Sequence, residues 1–144
     1  MTAGSRSPLV ALAVAMRPRQ WVKNLLVFAV PLAAGSIFHL DILWPTIAAF
    51  VAFCLASSAT YLINDARDVD VDRAHPTKRA RPIAAGDLSR AVAIGAAFAF
   101  GALALLISAA TSWPLFWVLF AYIATTTSYS LMLKHEPEIG RAHV

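Results

Sequence analysis

The chain has 144 residues, enough for one domain of ordinary size. It is 59% hydrophobic and only 14% charged, against about 25% charged for soluble domains, which excludes an ordinary water-soluble globule. The net charge of +4 calls for no nucleic-acid partner, because the basic residues follow the alternation of loops described next.

In chain order, "PLVALAVAM" (8–16) is a short apolar segment. It could pass for the apolar region of a signal peptide, but the basic "RPRQWVK" directly after it argues against cleavage, and a short interfacial helix is the better reading. Trp21 to Phe38 contains one charge (Lys23), Ile42 to Ile63 none, and Ala91 to Leu133 none. A bilayer core needs about 20 apolar helical residues, so the last run holds two spans, broken near Thr111-Ser112-Trp113-Pro114. The expected fold is an all-α, polytopic transmembrane helical bundle with spans over about 21–39, 42–63, 88–110 and 113–133, and a site loop over 64–87.

Charge orients these spans. Arg6, Arg17, Arg19 and Lys23 precede or begin the first; Arg67, Arg73, Lys78, Arg79, Arg81 and Arg90 lie between the second and third; Lys134 and Arg141 follow the fourth. The connections "HLD" and "TSW" contain neither Lys nor Arg, so every basic residue falls on one side, which the positive-inside rule makes cytoplasmic. Trp21, Trp44, Trp113 and Trp117 fall near span ends, as interfacial anchors do. The single Cys54 excludes a disulfide framework, and the four histidines show no metal-ligand spacing. The final "EIGRAHV" (138–144) matches one reading frame of a common sequencing-adapter oligonucleotide and is read as a non-native read-through tail.

Against this apolar background, "NDARDVDVD" (64–72) packs four aspartates into nine positions at the end of the second span. If the helix continues past Ile63, residues advance by about 100° each. With Asn64 at zero, Asp68 then falls at about 40°, Tyr61 at about 60°, Asp72 at about 80° and Asp65 at about 100°. One face about 100° wide thus carries an amide, three carboxylates and a phenol, while Asp70, Arg67 and Arg73 point elsewhere. Like charges at i,i+4, such as Asp68 and Asp72, repel, and a divalent cation resolves that repulsion. Mg²⁺ takes hard oxygen ligands and is usually held by one or two carboxylates together with substrate phosphates. The following "HPTKRARP" supplies Lys78, Arg79 and Arg81, donors suited to phosphate oxygens. Acids for a metal followed by bases for phosphate describe a site for a metal-diphosphate.

The pattern N-D-x-x-D-x-x-x-D, met at every specified position by "NDARDVDVD" and followed by "RPIAAG", resembles the membrane prenyltransferase superfamily of the UbiA type. "RPRQWVKN" and "HPTKRARPIAAG" make it most similar to the decaprenyl-phosphate phosphoribosyltransferase branch, over residues 8 to 137. That resemblance implies transfer of 5-phosphoribose from phosphoribosyl diphosphate to a polyprenyl phosphate, releasing diphosphate, in the making of an arabinose donor for mycobacterial-type cell walls. It implies Mg²⁺ as cofactor, Asn64 and Asp68 as its ligands, and Asp65 and Asp72 as further ligands or supporting carboxylates. Tyr61 would contact the sugar donor, Arg19, Lys78, Arg79 and Arg81 would hold donor phosphates, and Lys23 and Lys134 would meet a phosphate at the interface. It further implies a plasma-membrane enzyme of about nine spans, of which residues 1–137 supply the first four. A second acidic motif would lie in a later cytoplasmic loop, so the 144 residues alone are expected to be inactive. The sequence allows a homo-oligomer without requiring one.

Two other readings compete. A polyprenyl-diphosphate-dependent aromatic prenyltransferase would present the same acidic face and differ in the flanking stretches. A small transporter or membrane scaffold lacks the ionisable midplane residue that transport sites usually need: span two holds only Ser57, Ser58 and Thr60 as polar groups, types that mediate helix packing.

Overall fold

In the computed structural model, residues 6–132 are described, and all regular structure among them is helical. Helix α1 (Pro8–Ala15) begins where the Ser7 hydroxyl accepts from the Val10 N–H at 3.3 Å, with Pro8 at a position whose missing N–H is not needed. It buries Ala11 and Ala15 and leaves Leu9, Val10 and Val14 exposed, as an interfacial helix would. Arg17 then takes a left-handed backbone (φ 54°, ψ 62°) and turns the chain. The residue before a proline is pushed out of the right-handed helix, so Pro18 forces a break here.

The segment 21–39, expected as an α-helical span, is not a continuous α-helix. Pro18–Phe28 is a 3₁₀ helix, Ala29–Ala33 is a single α turn (α2), and Gly35 (φ 72°) ends it. A 3₁₀ helix repeats every three residues, and Trp21, Asn24 and Val27 are the half-buried positions at that spacing. Their partners lie on the next helix: Trp21 Nε1 donates to Ser58 Oγ at 2.9 Å, and Asn24 Nδ2 lies 3.5 Å from Cys54 Sγ. The Ser58 hydroxyl in turn donates to the Met16 carbonyl at 2.8 Å. Replacing the fully buried Ser58 by alanine is therefore expected to cost about 1–3 kcal/mol, read from thermal unfolding in detergent, because the Trp21 N–H and Met16 carbonyl both lose their partner.

Helix α3 (Leu40–Arg67) covers the second predicted span and extends past it at both ends. Helix α5 (Arg90–Thr111) and helix α6 (Trp113–Leu131) are capped by Ser89 and Ser112, whose hydroxyls accept from Val92 and Leu115 N–H, and they fall where the third and fourth spans were expected. Among the described residues two helices, α3 and α5, are long and apolar enough to cross a membrane. Helix α6 is less apolar, since two tryptophans and the run Thr125–Ser130 dilute its content.

The α3–α5 contact is the most extensive in the fold. It is built from small residues: Ala52, Ala56 and Ala59 on α3 meet Ala93, Ala97 and Ala104 on α5, and Ala59 Cβ lies 4.0 Å from where a Cβ on Gly101 would stand. Small side chains let backbones approach closely, which is how apolar helices associate in lipid. Helix α6 joins through Ser57 Oγ, 3.1 Å from Tyr122 Oη, and through the edge-on Phe53 and Tyr122 rings. One core cluster ties Leu62, Ala66 and Val69 to Ile83 and Leu88 of the connecting segment, so the segment after the acids is packed onto the bundle.

Candidate functional site

The acidic stretch lies at the junction of α3 and a short helix α4 (Val69–Arg73). The continuous helix expected through Asp72 is broken at Asp68 (φ −93°, ψ 15°), and the segment 64–87 expected as a loop is helical at its start and again over Lys78–Ala80. The shared face survives the break because i→i−4 bonds cross it: Asp68 N–H donates to Asn64 O at 3.0 Å and Asp72 N–H to Asp68 O at 2.8 Å. Asp65, Asp68 and Asp72 are buried, Tyr61 and Asn64 half-buried, and Arg67, Asp70 and Arg73 exposed, which is the division the rotation predicts.

Buried carboxylates need partners, and two arginines supply them. Arg17 Nη2 donates to Asp65 Oδ1 at 2.7 Å, and Arg81 Nη1 reaches both Asp65 Oδ1 (3.4 Å) and Asp72 Oδ2 (3.2 Å). Asn64 Nδ2 also donates to Asp65 Oδ1 at 3.2 Å. The Arg17 guanidinium lies over the Tyr61 ring, 4.4 Å from its centre, in the range of a cation–π contact. Charges alternate along Arg17, Asp65, Arg81 and Asp72 and cancel. Asp65 and Asp72, expected as metal ligands or supporting carboxylates, are engaged by arginines. Among the described residues no group of three or more His, Cys, Asp or Glu side chains is set to hold a metal ion.

The other expected residues divide. Lys78 and Arg81 line a cleft of about 520 Å³ together with Arg17, Asp65 and Thr77. Arg79 is exposed, and its N–H donates to the His75 carbonyl at 3.4 Å. Arg19 and Lys23 are exposed on the 3₁₀ helix and do not line this cleft. Lys134, like the 138–144 tail, lies outside the described residues. Arg17, which sequence reasoning passed over for Arg19, is the arginine of "RPRQ" that reaches the carboxylates; the proline after it was the available signal. The segment carrying Arg81 is held by Arg73 Nε on the Ala84 carbonyl (3.0 Å) and by the Arg6–Asp87 ion pair (3.1 Å).

Two further cavities adjoin. On the other side of Arg17, a pocket of about 510 Å³ lies between α3 and α6, with Thr60, Tyr61 and Asn64 on one wall and Tyr122, Thr125, Thr126, Tyr129 and Ser130 on the other. Beyond Thr60, which lines both, a groove of about 550 Å³ runs between α3, α5 and α6 among Ile63, Phe98, Gly101, Leu105 and Phe120. The order is an ionic cleft, a hydroxyl-lined pocket and an apolar groove.

The chain is 50% identical over 134 residues to the decaprenyl-phosphate phosphoribosyltransferase of Corynebacterium glutamicum, covering 90% of this chain and 40% of that protein. It is 50% identical over 140 residues to the protein of that name from Mycolicibacterium smegmatis (94% and 44%), and 46% over 126 residues to the one from Mycobacterium tuberculosis (85% and 42%). The chain thus spans less than half the length of each of these relatives. The profile of the UbiA prenyltransferase family matches residues 24–142, which contain the whole acidic face and the basic segment after it, and the chain belongs to that family of membrane proteins.

Proposed function

We propose that this chain forms the N-terminal, donor-binding part of a phosphoribosyltransferase that moves 5-phosphoribose from phosphoribosyl diphosphate to a polyprenyl phosphate such as decaprenyl phosphate. The observation that carries the reading is the pairing of Asp65 and Asp72 with Arg17 and Arg81 beside the ionic cleft, on the face that also carries Asn64 and Asp68, in a chain half identical to decaprenyl-phosphate phosphoribosyltransferases. In the reaction, the bond from the anomeric carbon to the diphosphate oxygen breaks, and its electron pair leaves with diphosphate. An oxygen of the acceptor phosphate bonds to the same carbon. The acceptor is already an anion, so no strong general base is needed.

The donor set suits Mg²⁺ held by Asn64 and Asp68 with diphosphate oxygens and water completing its shell, since Mg²⁺ rarely sits in an all-protein cage. Such an ion would neutralise charge developing on the leaving oxygens. Arg17, Lys78 and Arg81 would bind donor phosphates in the ionic cleft, and the apolar groove would take the acceptor's isoprenoid tail. The charge pattern supports four spans of a larger bundle in the plasma membrane, with N-terminus and site cytoplasmic.

The test uses membranes containing the full-length protein that carries this segment, supplied with labelled phosphoribosyl diphosphate, polyprenyl phosphate and Mg²⁺. Label is expected in the lipid fraction, to fall to background in Asp68→Ala and on chelation of Mg²⁺. Label appearing only from a polyprenyl diphosphate into a phenol would overturn the reading and move the protein to the aromatic-prenylating branch.

A further inference from the structure

We propose that the hydroxyl-bearing wall of α6, formed by Thr125, Tyr129 and Ser130 opposite Tyr61 and Asn64, selects a sugar over an isoprenyl chain as the group transferred. This rests on the donor reading above and names the residues that enforce it.

The pocket between α3 and α6 has a polar group on every lining residue, whereas the adjoining groove is lined almost wholly by carbon. Some of these hydroxyls are used within the fold. Thr126 Oγ1 donates back to the Tyr122 carbonyl (2.8 Å), Thr60 Oγ1 to Ala56 and Ser57 carbonyls (3.0 and 2.8 Å), and Tyr122 Oη meets Ser57. Thr125, Tyr129 and Ser130 differ: among the described residues their hydroxyls make no bond to protein, and they line the cavity. Thr125 and Tyr129 are exposed and Ser130 half-buried, so on a helix that is apolar through its first half these three hydroxyls stand open to an occupant of the pocket that can hydrogen-bond them.

The position fits the group being transferred. The pocket shares Arg17 with the ionic cleft and contains Asn64 of the acidic face, so a ligand whose phosphates lie at those residues places its next atoms here. In a ribosyl donor those atoms carry hydroxyls; in an isoprenyl donor they carry only C–H. A site built to hydrogen-bond a hydroxyl rejects an analogue that lacks it by up to about 10⁴-fold, because its own polar groups are left unpaired.

The experiment compares Thr125→Val, Tyr129→Phe and Ser130→Ala, each made singly in the full-length protein, changes that remove a hydroxyl and nearly keep the shape. The KM for phosphoribosyl diphosphate is expected to rise about tenfold in at least two of them, the effect of one lost hydrogen bond. Inhibition by inorganic diphosphate, which needs only the ionic end, is expected to hold, and it reports that each variant is folded. Inhibition by geranyl diphosphate is expected to tighten as the wall becomes apolar. An unchanged KM in every variant that retains diphosphate inhibition would overturn the inference and leave the proposed function standing. A wild-type protein that transfers geranyl and no ribosyl group would overturn both.

Discussion

Replacing Asp65 by alanine is expected to destabilise the fold by about 3 kcal/mol and to lower transfer by the full-length protein to background. Its carboxylate is 3% exposed and takes hydrogen bonds from Arg17, Arg81 and Asn64. Removing one member of a buried ion pair leaves the other charge uncompensated, at about 3–5 kcal/mol. The lower end applies because the two arginine side chains are each 26% exposed and water recovers part of the loss. Unfolding in detergent measures the first effect and lipid labelling the second. Asp65→Asn keeps the shape and one acceptor, so it should restore most of the stability and little of the activity. Asp70→Ala, at an exposed position five residues on, should stay within about 0.5 kcal/mol of the parent. Equal losses in Asp65→Ala and Asp70→Ala would show that charge density alone matters and that the buried face does not.

The second large effect concerns Arg17. Arg17→Ala should lower kcat/KM about 100-fold, the scale of losing one preorganised charged donor, while Arg19→Ala, two residues away and exposed, should leave it near the parent value. Arg17→Lys should recover little, since an ammonium can neither lie flat on Tyr61 nor reach Asp65 with a planar fork. The left-handed backbone gives a way to separate chemistry from folding. Glycine takes φ 54° without strain, so Arg17→Gly should unfold at a higher temperature than Arg17→Ala and be equally inactive. Activity that tracks stability across the three variants would reduce Arg17 to a structural role.

What the sequence revealed and what it hid follow from periodicity. Uncharged runs marked α3, α5 and α6, and a rotation of about 100° per residue put Asp65, Asp68 and Asp72 inside and Asp70 outside. The rotation held across the break at Asp68 because the backbone bonds on either side keep the same i→i−4 reach. The 3₁₀ form of segment 21–39 stayed hidden because hydropathy counts apolar residues without their pitch. Its pitch is set by Trp21 and Asn24 reaching Ser58 and Cys54, partners some thirty or more residues away that no local window contains. Arg17 went unnoticed beside Arg19 for the same kind of reason. Both are in "RPRQ", and only the left-handed turn at Arg17 aims one of them at Asp65.

The residues that follow Arg81 settle how the site should respond to salt. Pro82, Ile83 and Ala84 are buried, and Ile83 shares a core cluster with Leu62 and Ala66 beneath the acidic face. Arg81 is thus aimed at Asp65 and Asp72 by apolar contact on its own backbone neighbours, with Coulomb attraction as a second hold. Screening length falls from about 10 Å at 0.1 M to about 3 Å at 1 M ionic strength, which mutes exposed charges such as Lys78 and Arg79. It does not dissolve the apolar anchor, because strong salt leaves burial intact or strengthens it. With a donor anion bound there as proposed, ionic strength should act mainly by slowing capture of the anion from solution, and much less on the grip once it has arrived.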